Sequence, residues 1–422
     1  MPRLRSPVAI AGLGVALVLA VAAVATGRGD VAVIGVTLLV AVVVAAAKGR
    51  GDSNTSISLT VLPQRDANSL ATVRVEVDPD PVTETVLLRL AVLGARRRRV
   101  AVAGHTVIEV RVPVEHSGRI ELLRATSRDT SADVLTVTVP AAPVSAHTVV
   151  APRAHDVPFL PLPARLRGLT GNHESSRPGD GGEFRDIHPF AAGDRLRRID
   201  WKATARLARQ PGDLYVRRTN ATSDAHVVIV LDDGDDVGEY VETWQSDDPM
   251  VPGITSLDVA RDAAWSLAAA YLASADPVSF QVLSRARGTV PPGAGVRQRE
   301  RLRAAIARVG AQPRGFTRSR TPLVASGALV VLLSTFLDDD AVRLAELWRA
   351  AGHRVLAVDI LPRLQWDRLN RQQKVALRVV LARREDRLQA LRTAGGDLVR
   401  WDASVAERTA TLRQLTRTRR SS

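Results

Sequence analysis

The sequence predicts three kinds of structure in series: two N-terminal transmembrane helices, a small antiparallel β-sandwich-like region, and a Rossmann-like α/β domain with a mainly parallel sheet. Three observations predict it. Two long apolar runs open the chain, short alternating runs follow between Ser56 and Val139, and from His226 onward buried-type strands alternate with amphipathic helices. At 422 residues the chain can bury two or three cores, and with no cysteine it has neither disulfides nor thiolate chemistry. The expected boundaries are 1–50 for the helical hairpin, 51–150 for the β-rich domain, 151–224 for a linker and signature segment, and 225–422 for the α/β domain.

Pro7 to Thr26 is uncharged, and Val31 to Ala47 repeats that pattern after the turn Gly27-Arg28-Gly29-Asp30. At about 1.5 Å of rise per residue, the first run reaches roughly 30 Å and the second slightly less, near the lower limit for a span. A signal peptide is disfavoured, because the first run is long for one and a second run follows directly. Arg3, Arg5, Lys48 and Arg50 flank one side of the hairpin and Arg28 alone the other. The positive-inside rule therefore places the chain in the cell membrane with its bulk cytoplasmic. Inner-leaflet anionic lipid is then a natural neighbour for a net charge of +14.

Ile57–Val61, Thr72–Val77, Val107–Val112 and Leu135–Val139 alternate with period two, as strands with one wet face do. Arg96 to Arg99 falls between strands and reads as a solvated hairpin tip. Pro152 to Pro163 spaces its prolines between apolar residues and reads as an extended linker.

Gly182 to Arg206 carries the densest local information. Gly193-Asp194 is a turn dipeptide, three arginines interleave with Leu196 and Ile199, and Asp200-Trp201 precedes the helix-compatible run Lys202 to Arg209. Arg195, Arg198, Lys202, Arg206 and Arg209 recur at three- and four-residue spacing, so a helix through them presents a basic stripe. Trp201 and Phe184 are open to two readings: they fill a small core beside the sheet while Asp194 and Asp200 pair with arginines, or the segment docks an acidic partner.

These residues resemble the signature of the domain-of-unknown-function family 58. Gly182, Glu183, Phe184, Gly193, Asp194, Arg198, Ile199, Asp200, Trp201, Ala205 and Arg206 match its pattern, while His188, Phe190 and Thr204 replace Arg, Tyr and Ser. The docking residues carried over are Glu183, Phe184, Gly193, Asp194, Arg198, Asp200, Trp201 and Arg206.

His226 to Leu231 is a continuous apolar run, as a central strand buried on both faces requires, and it ends in Asp232-Asp233-Gly234-Asp235-Asp236. Helices at Leu257–Leu272, around Arg299–Val309, Ala341–Ala351, Asn370–Ala394 and Val405–Arg417 alternate with strands Val278–Leu283, Ala328–Leu333, Arg354–Ile360 and Asp397–Trp401. Ligands of such sheets bind beyond the carboxyl ends of the strands. The resemblance implies a von Willebrand factor A-like domain, whose metal-dependent adhesion site begins Asp-x-Ser-x-Ser. Here those positions are Asp232, Gly234 and Asp236, so both hydroxyls are lost, and Ser334-Thr335 stands where the family often has Ser-Asp. A degenerate Mg²⁺ site from Asp232, Asp236, Ser334 and Thr335 is the alternative expectation to an acidic loop without metal.

No GxxxxGK[ST], HExxH or GxSxG motif is present, so the expectation is a protein without enzymatic activity. Aromatic residues are only 4% of the chain, which weighs against nucleic-acid binding despite the charge. The resemblance implies a bacterial membrane-associated adaptor that works with a MoxR-type AAA+ ATPase, and in some members with a transglutaminase-like membrane protein. A metal-dependent adhesion-type binder is the alternative, and a nucleic-acid or lipid-headgroup binder a more distant one.

Overall fold

The computed structural model describes residues 3–5, 7–48, 55–63, 70–81, 83, 85–130, 136–164, 173–245, 250, 252–312 and 322–417. The chain divides into two compact units, the second made of His116–Arg119, Val149–Gln245 and Ile254–Ser422.

The first unit opens with strand β1 (Arg3–Arg5) and helices α1 (Pro7–Thr26) and α2 (Gly29–Lys48). The reversal between the helices uses Gly27 at φ +66° and an Arg28–Asp30 ion pair at 2.6 Å. Part of their apolar character is spent inside the hairpin. Ala16 and Ala23 are buried, and a Cβ at Gly12 or Gly35 would come within 3.2 Å of Val42 or 3.3 Å of Leu19. Among the described residues, no helix is long and apolar enough to cross a membrane. This overturns the expectation of two membrane spans, and with it the assignment of the chain to the cell membrane as a multi-pass protein.

Eight further strands follow: β2 (Ser56–Val61), β3 (Leu70–Asp78), β4 (Thr85–Val92), β5 (Arg98–Val102), β6 (Thr106–Pro113), β7 (Gly118–Thr130), β8 (Thr136–Thr138) and β9 (Val144–Val150). They form a three-stranded sheet, β2-β3-β6, and a six-stranded one in the order β1-β8-β7-β4-β5 with β9 beside β7. The two faces of β3 separate cleanly: Val73, Val75 and Val77 are wholly buried while Arg74 and Glu76 face water. Arg96 and Arg97 lie at an exposed turn before β5, where Gly94 takes φ +68°.

In the second unit, β10 (His173–Pro189) and β11 (Tyr215–Ser223) form an antiparallel pair that brackets the short helix α3 (Trp201–Leu207). The α/β core follows as β12 (Val227–Leu231), α4 (Ser256–Ala273), β13 (Val278–Val282), β14 (Arg285–Gly293), α5 (Gly295–Ala307), β15 (Leu329–Ser334), α6 (Asp340–Ala350), β16 (Arg354–Asp359), α7 (Arg371–Thr393), β17 (Asp397–Arg400) and α8 (Val405–Arg417). Its sheet runs β14-β13-β12-β15-β16-β17.

The mainly parallel sheet expected for the α/β domain is instead a mixed one, and several antiparallel sheets accompany it. The strands β13-β12-β15-β16-β17 pair in parallel, β14 runs antiparallel at the sheet edge, and the registered strand pairs of the other three sheets are antiparallel. The cause at β14 is local. Only Leu283 and Ser284 separate it from β13, and so short a connection permits a hairpin but no crossover.

Period-two alternation splits β12 between two cores. Val227, Ile229 and Leu231 join α4, α5 and α8 through Leu257, Leu302 and Leu412, whereas Val228 and Val230 join α6 and α7 through Trp348 and Leu388. The segment expected as a linker is extended but strapped down. Val157 is buried in the first of these cores, Arg153 N–H donates to Asp262 at 2.8 Å, and the buried Tyr271 hydroxyl donates to the Pro161 carbonyl at 2.6 Å.

Helix α4 begins with a capping box in which Thr255 and Asp258 satisfy each other's backbone N–H groups. Asp258 also accepts from His116 Nδ1 at 2.7 Å, Ser117 N–H at 2.8 Å and Arg261 at 3.1 Å. Burial pushes this carboxyl up, but His116, Arg261 and the Thr255 amide outweigh burial and hold it below the usual carboxylate range.

Candidate functional site

Two places in the second unit concentrate polar side chains: the carboxyl ends of the central strands, and the signature segment beside β10 and β11.

At the strand ends, Asp232 follows directly on β12 and Ser334 closes β15, because the two strands pair in register from Val227–Leu329 to Leu231–Leu333. The Ser334 hydroxyl donates to Asp232 Oδ2 at 2.7 Å, and Gly234 N–H donates to Oδ1 at 3.1 Å. Asp233 ties three segments together, accepting from Ser284 N–H at 3.2 Å, from the Ser284 hydroxyl, and from Gln312 Nε2 at 2.9 Å. The Thr335 hydroxyl reaches Asp235 at 3.4 Å. Asp236 is drawn elsewhere: its carboxylate accepts from Leu257 N–H at 3.2 Å, in the first turn of α4.

Beside Ser334 sits a feature that motif reasoning did not anticipate. Arg384, from α7, is buried against Asp359 at the end of β16, and its Nε donates to the Thr335 carbonyl at 2.7 Å. Leu361 N–H also donates to Asp359 at 3.0 Å, and Arg400 lies 3.7 Å from its other oxygen. Asp338 accepts from Asp340 N–H at 3.0 Å as α6 begins, while Asp339 pairs with Arg387.

The expected metal set is thus partly assembled and partly dispersed. Asp232 and Ser334 meet, Thr335 faces Asp235, and Asp236 belongs to the α4 terminus. Among the described residues, no group of three or more histidine or acidic side chains is placed to hold a metal ion. Within the expected set, Gly234 supplies no side-chain oxygen and the Asp236 carboxylate is engaged at the α4 terminus.

The signature segment is built differently from a single basic helix. A 3₁₀ turn covers Leu196–Arg198, the chain extends at Ile199, and α3 starts afresh at Trp201. Asp200 forces that restart as the N-cap of α3, its carboxylate accepting from Ala203 N–H at 2.9 Å. Gly193 takes φ +99°, and Asp194 closes the turn by accepting from Ala191 N–H at 2.9 Å while Arg218 approaches within 3.6 Å. The Thr204 hydroxyl accepts from Tyr215 N–H at 3.0 Å, and Ile199 bridges Val216, so the segment is fastened to β11. Of the paired-charge reading, Asp194 meets an arginine, whereas Asp200 accepts from a backbone N–H as the cap of α3.

The aromatic side chains of that reading are not buried. Trp201 is 68% exposed and Phe184 50% exposed, with Leu196 at 70%. The Arg217 guanidinium lies over the Phe184 ring at 5.4 Å, an ordinary cation–π distance. Arg197, Arg198, Asp200, Trp201, Arg217 and Thr219 line much of an open groove of about 490 Å³. Arg206 lies in the last turn of α3. The Glu183 side chain lies outside the described residues, and His188 is an exposed residue near the end of β10 whose Nδ1 meets the Pro189 carbonyl at 2.8 Å.

This signature, with the α/β strands that follow it, is what the family comparison detects. The family model described as "Protein of unknown function DUF58" matches residues 186–369. That region belongs to the DUF58 family. The match takes in the collar from Asp186 through α3 and β11 and continues through β16, so both polar sites lie largely inside it, while Glu183, Phe184 and Arg384 fall outside. Neither curated proteins nor solved structures give a match to the chain.

Proposed function

We propose that the chain is a non-enzymatic adaptor or scaffold whose α/β unit binds other proteins, with the signature collar as its docking surface. The observation that supports this most is the exposure of Trp201 beside Arg197 and Arg217 on a collar fastened by hydrogen bonds to its own turn and to β11. Tryptophan and arginine are the residue types that most often dominate binding energy at interfaces, and a preformed surface loses little entropy on docking. The strand-end carboxylates have other work: Asp232, Asp233 and Asp359 are bonded within the fold, which favours a scaffolding use over turnover.

The resemblance drawn from the signature directs the choice of partner to a MoxR-type AAA+ ATPase and its clients, with a transglutaminase-like protein second. Co-purification of the full chain with such an ATPase tests the reading, with wild type and Trp201→Ala compared in the presence and absence of ATP. Capture by the wild type that falls at least tenfold in the variant is expected. Absence of capture in both nucleotide conditions, or capture indifferent to Trp201, sinks it.

A further inference from the structure

We infer that the groove beside Trp201 takes a short acidic protein segment that carries an apolar side chain. The inference rests on the adaptor reading and specifies what the collar recognises. Among the described residues, Arg197, Arg198 and Arg217 line the groove with one carboxylate, Asp200, which is held by Ala203 N–H at 2.9 Å as the cap of α3. The lining is therefore positive on balance, and carboxylates are the complementary charge.

The apolar requirement comes from the surrounding side chains. Leu196 is 70% exposed beside Arg197, Trp201 forms one wall, and Ile187, which pairs with Arg217 across β10 and β11, is also exposed. A free phosphate or a sugar-phosphate backbone would satisfy the arginines and leave this apolar surface wet. A peptide with an aliphatic or aromatic side chain between carboxylates covers both. Phe184 already carries the Arg217 guanidinium on its face at 5.4 Å, and among the described residues the groove shows no run of aromatic platforms of the kind single-stranded nucleic acid uses.

The test is fluorescence anisotropy of a labelled peptide with two glutamates on each side of one leucine, titrated with the full chain at about 50 mM and about 300 mM salt, conditions that separate screened from unscreened ion pairing. Binding that weakens with salt, falls at least tenfold in Arg197→Glu/Arg217→Glu and in Trp201→Ala, and is absent for the lysine counterpart is the expected result. Circular dichroism of each variant confirms that it remains folded. No binding by wild type, binding indifferent to these substitutions, or preferential binding of an oligothymidylate of equal charge at the same groove overturns the inference. Its failure is distinguishable from failure of the adaptor reading. Capture of the ATPase without peptide binding refutes the acidic-segment class alone, whereas peptide binding without capture refutes the named partner alone.

Discussion

Replacing Arg384 by Met tests whether a guanidinium holds the ends of β15 and β16 together. The side chain is 6% exposed, its partner Asp359 is 4% exposed, and its Nε also serves the Thr335 carbonyl at 2.7 Å. Methionine conserves most of the length, so cavity formation contributes little and the loss is chiefly electrostatic. Removing one partner of a buried pair costs about 3–5 kcal/mol, because the remaining charge stays buried. Asp359 retains Leu361 N–H at 3.0 Å and Arg400 at 3.7 Å, which moves the expectation toward the lower end. The orphaned Thr335 carbonyl adds about 1 kcal/mol. A net loss of roughly 4 kcal/mol corresponds to a fall in Tm of about 8–16 °C for a unit of this size. Urea and thermal denaturation of the full chain, followed through the buried Trp348 and Trp401, provide the assay. Asp359→Asn combined with Arg384→Met should recover about 2 kcal/mol relative to the sum of the single changes, because the stranded charge is gone. A single variant within about 0.5 kcal/mol of wild type, or strict additivity in the double variant, refutes the assignment.

Three further outcomes are expected. Trp201→Ala should leave stability within about 0.5 kcal/mol of wild type, since exposed positions tolerate substitution; a loss of about 3–5 kcal/mol in chemical denaturation, the size expected for a core aromatic, refutes the collar's exposure. Asp258, whose folded pKa is lowered, contributes stability that is fully present above its ordinary value of about 4 and is lost as pH falls through its folded value. Asp258→Asn should therefore flatten part of the loss of Tm below about pH 4, and an unchanged acid limb argues against that role. Calorimetric titration with Mg²⁺ should give no heat of binding at the strand ends, and uptake abolished by Asp232→Ala reverses that reading.

The order of elements after His226 was legible because β-branched runs and capped amphipathic helices are local signals. Asn370 with Gln373, and Thr255 with Asp258, mark helix starts that the chain alone displays. Strand β7 was hidden for the opposite reason. Its second half buries Ser127, Asp129 and Thr130, so no apolar alternation reveals the inward face. Strand β10 was hidden in a stretch rich in glycine and charge, and its long pairing with β11 shows irregular register. The predicted basic stripe failed at one residue: Asp200 caps a new helix and breaks the phase that Arg195, Arg198 and Lys202 would have shared. Asp232 and Ser334 were reached through the family resemblance, which pointed to strand ends where polar groups gather in any such sheet. Arg384 had a usable signal that motif reading passed over. It stands at the helical phase of Leu377, Leu388 and Leu391, the buried face of α7, where an arginine needs an internal partner.

The edges of the six-stranded sheet carry a consequence for how the protein meets other chains. At one edge, β14 carries Pro291-Pro292 just before its last residue, two positions without an N–H to offer an incoming strand. At the other, β17 is only four residues long and begins and ends in charge, with Asp397 bonded to Arg354 at 2.6 Å and Arg400 to Glu385 at 2.9 Å. Both ends therefore resist extension by a further strand, which protects the sheet from edge-to-edge aggregation at high concentration. It also narrows how partners can engage this unit, because backbone ladder formation is discouraged and recognition falls to side chains presented outside the sheet.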